Sequence, residues 1–165
     1  MMTDAAAELL LGGFPLCSGL SPGEVAQLSA MARPVRFEAR QRLFAEGEPA
    51  RGCWLIREGR VALDITVPGR GQIVVQTLGQ GDVLGWSWLM PPYRWHFGAL
   101  ALEPTAATEL GTSRLRALAE RDPHFGYRVT LTLFTAFLQR LQSTRARLLD
   151  LYRSPRDTPA RQFPW

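Results

Sequence analysis

Between Gly47 and Gly85 the chain is cut into short apolar runs by glycines at 47, 52, 59, 69, 71, 79, 81 and 85. In VALDITV, Val61, Leu63, Ile65 and Val67 alternate with Ala62, Asp64 and Thr66, the two-residue period of a half-buried strand. PGRG follows as a turn and QIVVQTL as the next strand, which predicts a hairpin across 61–78. CWLIR, FGALALE and TAATEL supply further strands, with Pro104 between the last two. Short strands at regular spacing, separated by Gly and Pro, point to a closed antiparallel roll rather than a parallel sheet. The fold class is therefore mainly β with flanking α.

The two ends of the chain read as helical. In LSPGEVAQLSAMARPV, Ser21 is placed to cap, Pro22 suits the first helical position, Glu24 closes a capping box, and Pro34 is expected to stop the helix. SRLRALAERDP forms a short helix ending at Pro123, and no proline interrupts the stretch from there to Tyr152. Along this predicted helix 123–152, Val129, Leu133, Phe137, Leu141, Thr144, Leu148 and Leu151 recur every three or four residues. Leu131, Phe134 and Leu138 form an adjacent line. At 1.5 Å per residue such a helix is roughly 45 Å long, more than a small roll covers. Two apolar lines need two partners, the roll and a second copy in a parallel homodimer. The expected layout is one domain over 1–153 and a flexible tail over 154–165, SPRDTPARQFPW, where Phe163 and Trp165 are candidate anchors for a partner groove.

Composition narrows the function classes. Hydrophobic residues make up 46% and charged residues 21%, ordinary for a soluble globular protein. No apolar run has membrane-spanning length, and AAAELLLGG carries Glu8 and follows Asp4, so neither a membrane span nor a secretory signal is expected; the compartment read from this is the cytoplasm. Cys17 and Cys53 have no second ligand at metal spacing and read as buried small hydrophobes. The net charge is +4, all 19 basic residues are arginine, and residues 140–165 hold six arginines against two aspartates. That region suits either a solvated helix face or attraction to nucleic acid or an acidic protein partner. No GxSxG, HExxH, P-loop or dinucleotide fingerprint occurs, so an enzyme has no support.

The ordered motifs LFAEGEPARGCWLIREGRVAL, LGQGDVLG and RLQSTRARLLDLY closely resemble the cyclic nucleotide-binding domain of the catabolite activator/FNR regulator family, over about Phe14 to Tyr152. Gly47, Gly59, Gly81 and Gly85, with Asp82, stand where that family has its structural turns. The resemblance implies a double-stranded β-helix, a jelly-roll-like β-roll, followed by a long dimerisation helix. It also implies a pocket for a cyclic nucleotide, in which a Glu after the last glycine holds the ribose and an Arg neutralises the phosphate. Here Trp86 follows Gly85, and the arginine position falls at His96, followed by Phe97 and Gly98. Thr144 stands where dimeric members present a polar side chain toward the base.

Three readings of this ligand region stay open. Arg94 replaces the lost arginine while Trp86, Trp88 or Trp95 stacks on a base; or a less charged ligand binds with His96 as polar contact; or the indoles fill the cavity. The candidate ligand-binding residues are Gly85, Trp86, Ser87, Arg94, His96, Phe97 and Thr144, with no metal or catalytic group. Only about a dozen residues follow the helix, too few for a helix-turn-helix, so sequence-specific DNA binding is not expected. The expected function is a regulatory module whose altered pocket takes a small ligand or none and which binds another protein. The alternatives are a weak nucleic-acid accessory and a true cyclic nucleotide binder using Arg94.

Overall fold

A computed structural model describes residues 10–14 and 17–152. The tail 154–165, with Phe163 and Trp165, lies outside the described residues, as do the side chains of Leu148 and Leu151.

Helix α1 (Pro22–Ser29) begins as its residues dictate. Ser21 Oγ accepts the Glu24 N–H, Glu24 returns a carboxylate oxygen to the Ser21 N–H at 2.6 Å, and Pro22 opens the first turn. Pro34 does not end it. The helix stops at Ser29, and Pro34 lies inside β1 (Ala32–Phe37), which pairs only with β8. An edge strand tolerates proline because one row of its N–H groups bonds no neighbour.

The remaining strands are β2 (Arg42–Phe44), β3 (Cys53–Glu58), β4 (Val61–Val67), β5 (Gly71–Leu78), β6 (Val83–Leu84), β7 (Gly98–Ala101) and β8 (Thr105–Leu110). They form two four-stranded antiparallel sheets, ordered β1-β8-β3-β6 and β2-β7-β4-β5. The predicted hairpin is β4–β5, joined by a turn in which the Arg70 N–H bonds the Val67 carbonyl. Leu55, Ile56, Val61, Leu84 and Leu110 meet between the sheets as the core.

Two strands depart from simple alternation. Asp64, read as an outward residue of β4, is buried and accepts from Arg42 of β2 at 2.6 Å. Room for that pair exists because Gly98 sits opposite Asp64 in β7; a Cβ there would lie against Asp64 Oδ1 and 2.7 Å from Arg42 Nη1. Strand β5 is an edge, and Ile73, Val74 and Val75 are exposed rather than half-buried.

Helix α2 (Thr112–Arg121) leads into α3 (Pro123–Tyr152). Phe125, Val129 and Leu133 are buried in the common core, and Gly126 permits close passage over Ala119 of α2. Further along the same line Phe137 and Leu141 are exposed, and Leu131, Phe134 and Leu138 are exposed beside them.

Candidate functional site

The segment Gly85–Gly98 leaves β6, makes a 3-10 turn (Ser87–Leu89) and returns to β7. Gly85 has φ +87°, and a Cβ there would meet the Gly52 carbonyl oxygen at 2.7 Å and the Trp95 ring at 2.9 Å. Only glycine suits both the left-handed backbone and the lack of space.

Trp95 is the inward-facing residue of the returning arm. Its indole is 6% exposed, stacks on Phe44 with centroids 4.0 Å apart, and lies 6.1 Å from Trp54. The backbone fixes it on both sides: the Trp95 N–H donates to Glu48 O and its carbonyl accepts from the Gly47 N–H. The sequence places His96 at the inward position, and the structure places Trp95 there, one residue earlier; a one-residue step reverses the face in extended chain. His96 is exposed, with Nδ1 3.2 Å from the buried Ser87 Oγ.

What remains of the slot is a cavity of about 20 Å³ lined by Gly85, Trp86, Ser87, Trp95, His96 and Phe97 together with Phe44, Leu63, Leu84 and Arg140. That is room for about one water. No carboxylate lines it. Arg94 is not brought to it: the side chain is exposed and its Nη1 donates to the Gly47 carbonyl at 2.7 Å. Trp88 turns away, buried, with Nε1 donating to the Gly85 carbonyl at 3.1 Å. Of the tryptophans, Trp95 fills the slot, Trp88 supports it from behind, and Trp86 faces α3.

The guanidinium that does reach the slot comes from α3. Arg140 stacks over Trp86 at 4.3 Å from the ring centroid and donates to the Val83 carbonyl at 2.7 Å. Phe137 packs edge-on against the same indole at 5.3 Å. Burial pulls the Arg140 pKa down to about 10, opposed by the negative charge of Asp82, so it remains a cation at neutral pH. No carboxylate of the described residues lies within ion-pair distance of it; the Asp82 carboxylate instead accepts the Gly79 N–H at 2.8 Å. Sequence reasoning missed Arg140. The available signal was its spacing, four residues before Thr144 and so on the same helix face.

Arg140 also borders a second cleft of about 380 Å³ between the β5–β6 turn and α3. Thr144 lines this cleft, with Gln76, Gln80, Asp82, Gln139 and Ser143, and takes no part in the slot. The seven predicted residues thus divide: Gly85, Trp86, Ser87, His96 and Phe97 converge, Thr144 sits in the adjoining cleft beside Trp86, and Arg94 is elsewhere.

Two sheets rolled around an inward-turned loop, closed on one side by a long helix, are the architecture of a β-roll domain. The chain belongs to the cyclic nucleotide-binding domain family, whose model matches residues 34–122. Over 133 residues it is 25% identical to a CRP-like cAMP-activated global transcriptional regulator of Mycobacterium tuberculosis, covering 81% of this chain and 58% of the relative, so it spans less than two thirds of that protein. The Thermus thermophilus catabolite activator protein superposes with TM-score 0.65 at 26% identity, covering 83% of this chain and 62% of the other. A cyclic nucleotide-binding domain from Methylobacillus flagellatus shares the fold with TM-score 0.76 at 21% identity, over 92% of this chain and 86% of the other.

Proposed function

We propose that the protein is a non-enzymatic regulatory module of the cytoplasm whose nucleotide slot is closed by its own aromatic side chains. The observation that carries this is the residual volume of about 20 Å³ behind Trp95, where a small-molecule site typically offers roughly 300–1,000 Å³. A ligand, on this reading, enters the adjoining cleft and is a small organic anion. Arg140 supplies a largely desolvated cation with no carboxylate in ion-pair contact, the Asp82 carboxylate of the same cleft being engaged by the Gly79 N–H, and Gln76, Gln80, Ser143 and Thr144 offer hydrogen bonds around it. Occupancy acts on another protein by shifting α3 between two packings.

Helix α3 pairs, in the same proposal, with its own copy. The support is the exposed apolar line of Leu131, Phe134, Leu138 and Leu141, too continuous for a solvated helix face. Among the described residues no helix is long and apolar enough to cross a membrane.

Calorimetric titration with cyclic AMP and cyclic GMP tests the closed slot: no heat is expected at micromolar concentrations, and micromolar binding of either nucleotide refutes it. Light scattering tests the pairing, with a dimer for the native chain and a monomer for Phe134→Asp. A native monomer removes that part of the proposal.

A further inference from the structure

Beyond Trp88, a cleft of about 580 Å³ opens between the β2–β3 loop, residues 88–93 and the start of α2. It is separate from the slot and from the Arg140 cleft, and its lining is divided in character. Pro49, Tyr93 and Ala117 present apolar surface, Trp88 being 2% exposed, whereas Arg51 and Arg116 contribute two cationic residues against one acidic residue, Glu120.

The cationic side is fixed in place. Arg116 lies 4.5 Å over the centroid of the Tyr93 ring and donates to the Trp88 carbonyl. These two contacts leave further guanidinium donors unused. Arg51 is anchored through its backbone, whose carbonyl accepts from Thr112 Oγ1 at 3.2 Å, and its guanidinium has no partner among the described residues. Tyr93 holds a left-handed backbone, φ +56°, unusual for an aromatic residue. It is pinned there by hydrogen bonds from the Ala50 N–H to its carbonyl and from its own N–H to Met90. Strain maintained by flanking contacts is a mark of a position with a task. The α2 first turn adds no acidic residue, and Gly111 brings no capping side chain, so nothing there offsets the two arginines.

We propose that this cleft binds a small amphiphilic acid. The apolar body lies against Pro49, Tyr93 and Ala117, and a carboxylate or phosphate head is held between Arg51 and Arg116. The site goes beyond the reading given under Proposed function and stands or falls separately from it.

The test is calorimetry on the full chain at low salt with naphthalene-2-carboxylate, 2-naphthyl phosphate and the neutral naphthalene-2-carboxamide. At least one acid is expected to bind at least 10-fold more tightly than the carboxamide, and the preferred acid identifies the head group. Arg51→Gln, at an exposed position, is expected to weaken that binding about 10-fold, the loss of one charge-assisted contact, while leaving the thermal midpoint unchanged. The proposal is overturned if neither acid binds at millimolar concentration, if the carboxamide binds as well as the acids, or if Arg51→Gln binds them undiminished.

Discussion

Replacing Trp95 by alanine removes the largest group from the slot, and the cost follows from the surroundings. Burying and then truncating a large aromatic side chain costs about 3–5 kcal/mol. The stack on Phe44 at 4.0 Å adds to the loss, since aromatic pairs contribute roughly 0.5–1.5 kcal/mol beyond area. Collapse cannot relieve it, because the backbone at 95 is bonded to Glu48 on one side and Gly47 on the other. We expect a loss of about 4 kcal/mol. With a urea slope of ~2 kcal/mol/M, the unfolding midpoint falls by about 2 M at unchanged slope. The void joins the existing 20 Å³ cavity and is apolar, so indole should refill it. At ten times its Kd, indole returns roughly 1.4 kcal/mol to Trp95→Ala and nothing to the native chain. A midpoint shift below about 0.5 M, or an equal response to indole in both proteins, refutes the assignment of Trp95 as the filler of the slot.

Three further outcomes are expected. Gly98→Ala should destabilise by at least about 2 kcal/mol in thermal melts, since its methyl displaces the buried Arg42–Asp64 pair. Cys53 is fully buried, and desolvation pushes its thiol pKa up to about 12, so a thiol reagent at pH 8 should label Cys17 first and Cys53 only on unfolding. The Ser21 N–H bond, followed by the Ser21 hydroxyl and the charges of Arg128 and His124, lowers the Glu24 pKa below its ordinary 4.5. Its contribution is present above that value and lost as pH falls through the lower folded one, so Glu24→Gln should show a shallower decline of stability between pH 5 and 3.

The elements legible in the sequence are those whose signals are local. The capping box at Ser21 and Glu24 involves residues three apart, and the β4–β5 hairpin is announced by alternation and a Pro-Gly turn. The first half of α3 follows its apolar spacing, with Phe125, Val129 and Leu133 buried. Where the outcome depended on a distant partner, local reading misled. Pro34 looks like a helix stop until β8 makes β1 an edge, and Asp64 looks solvent-facing until Arg42, 22 residues earlier, reaches it. The site divides the same way. GDVLG identifies the turn, but exchanging His96 for Trp95 turns on one step of register in a proline-rich loop. Arg140 is 54 residues from Trp86, and nothing in the linear order says that the two meet.

The long helix is attached at two different kinds of place. Buried apolar side chains end at Leu133; beyond them Phe137 packs edge-on against Trp86, and the guanidinium of Arg140 is a polar hold on Val83 and Trp86. With the Arg140 hold made, roughly 18 Å of helix projects past its last support; with both it and the Phe137 contact released, the overhang grows to roughly 28 Å. The same 10° tilt then sweeps the tip through about 5 Å instead of about 3 Å. Two side chains that meet on Trp86 thus set the reach of the overhanging helix.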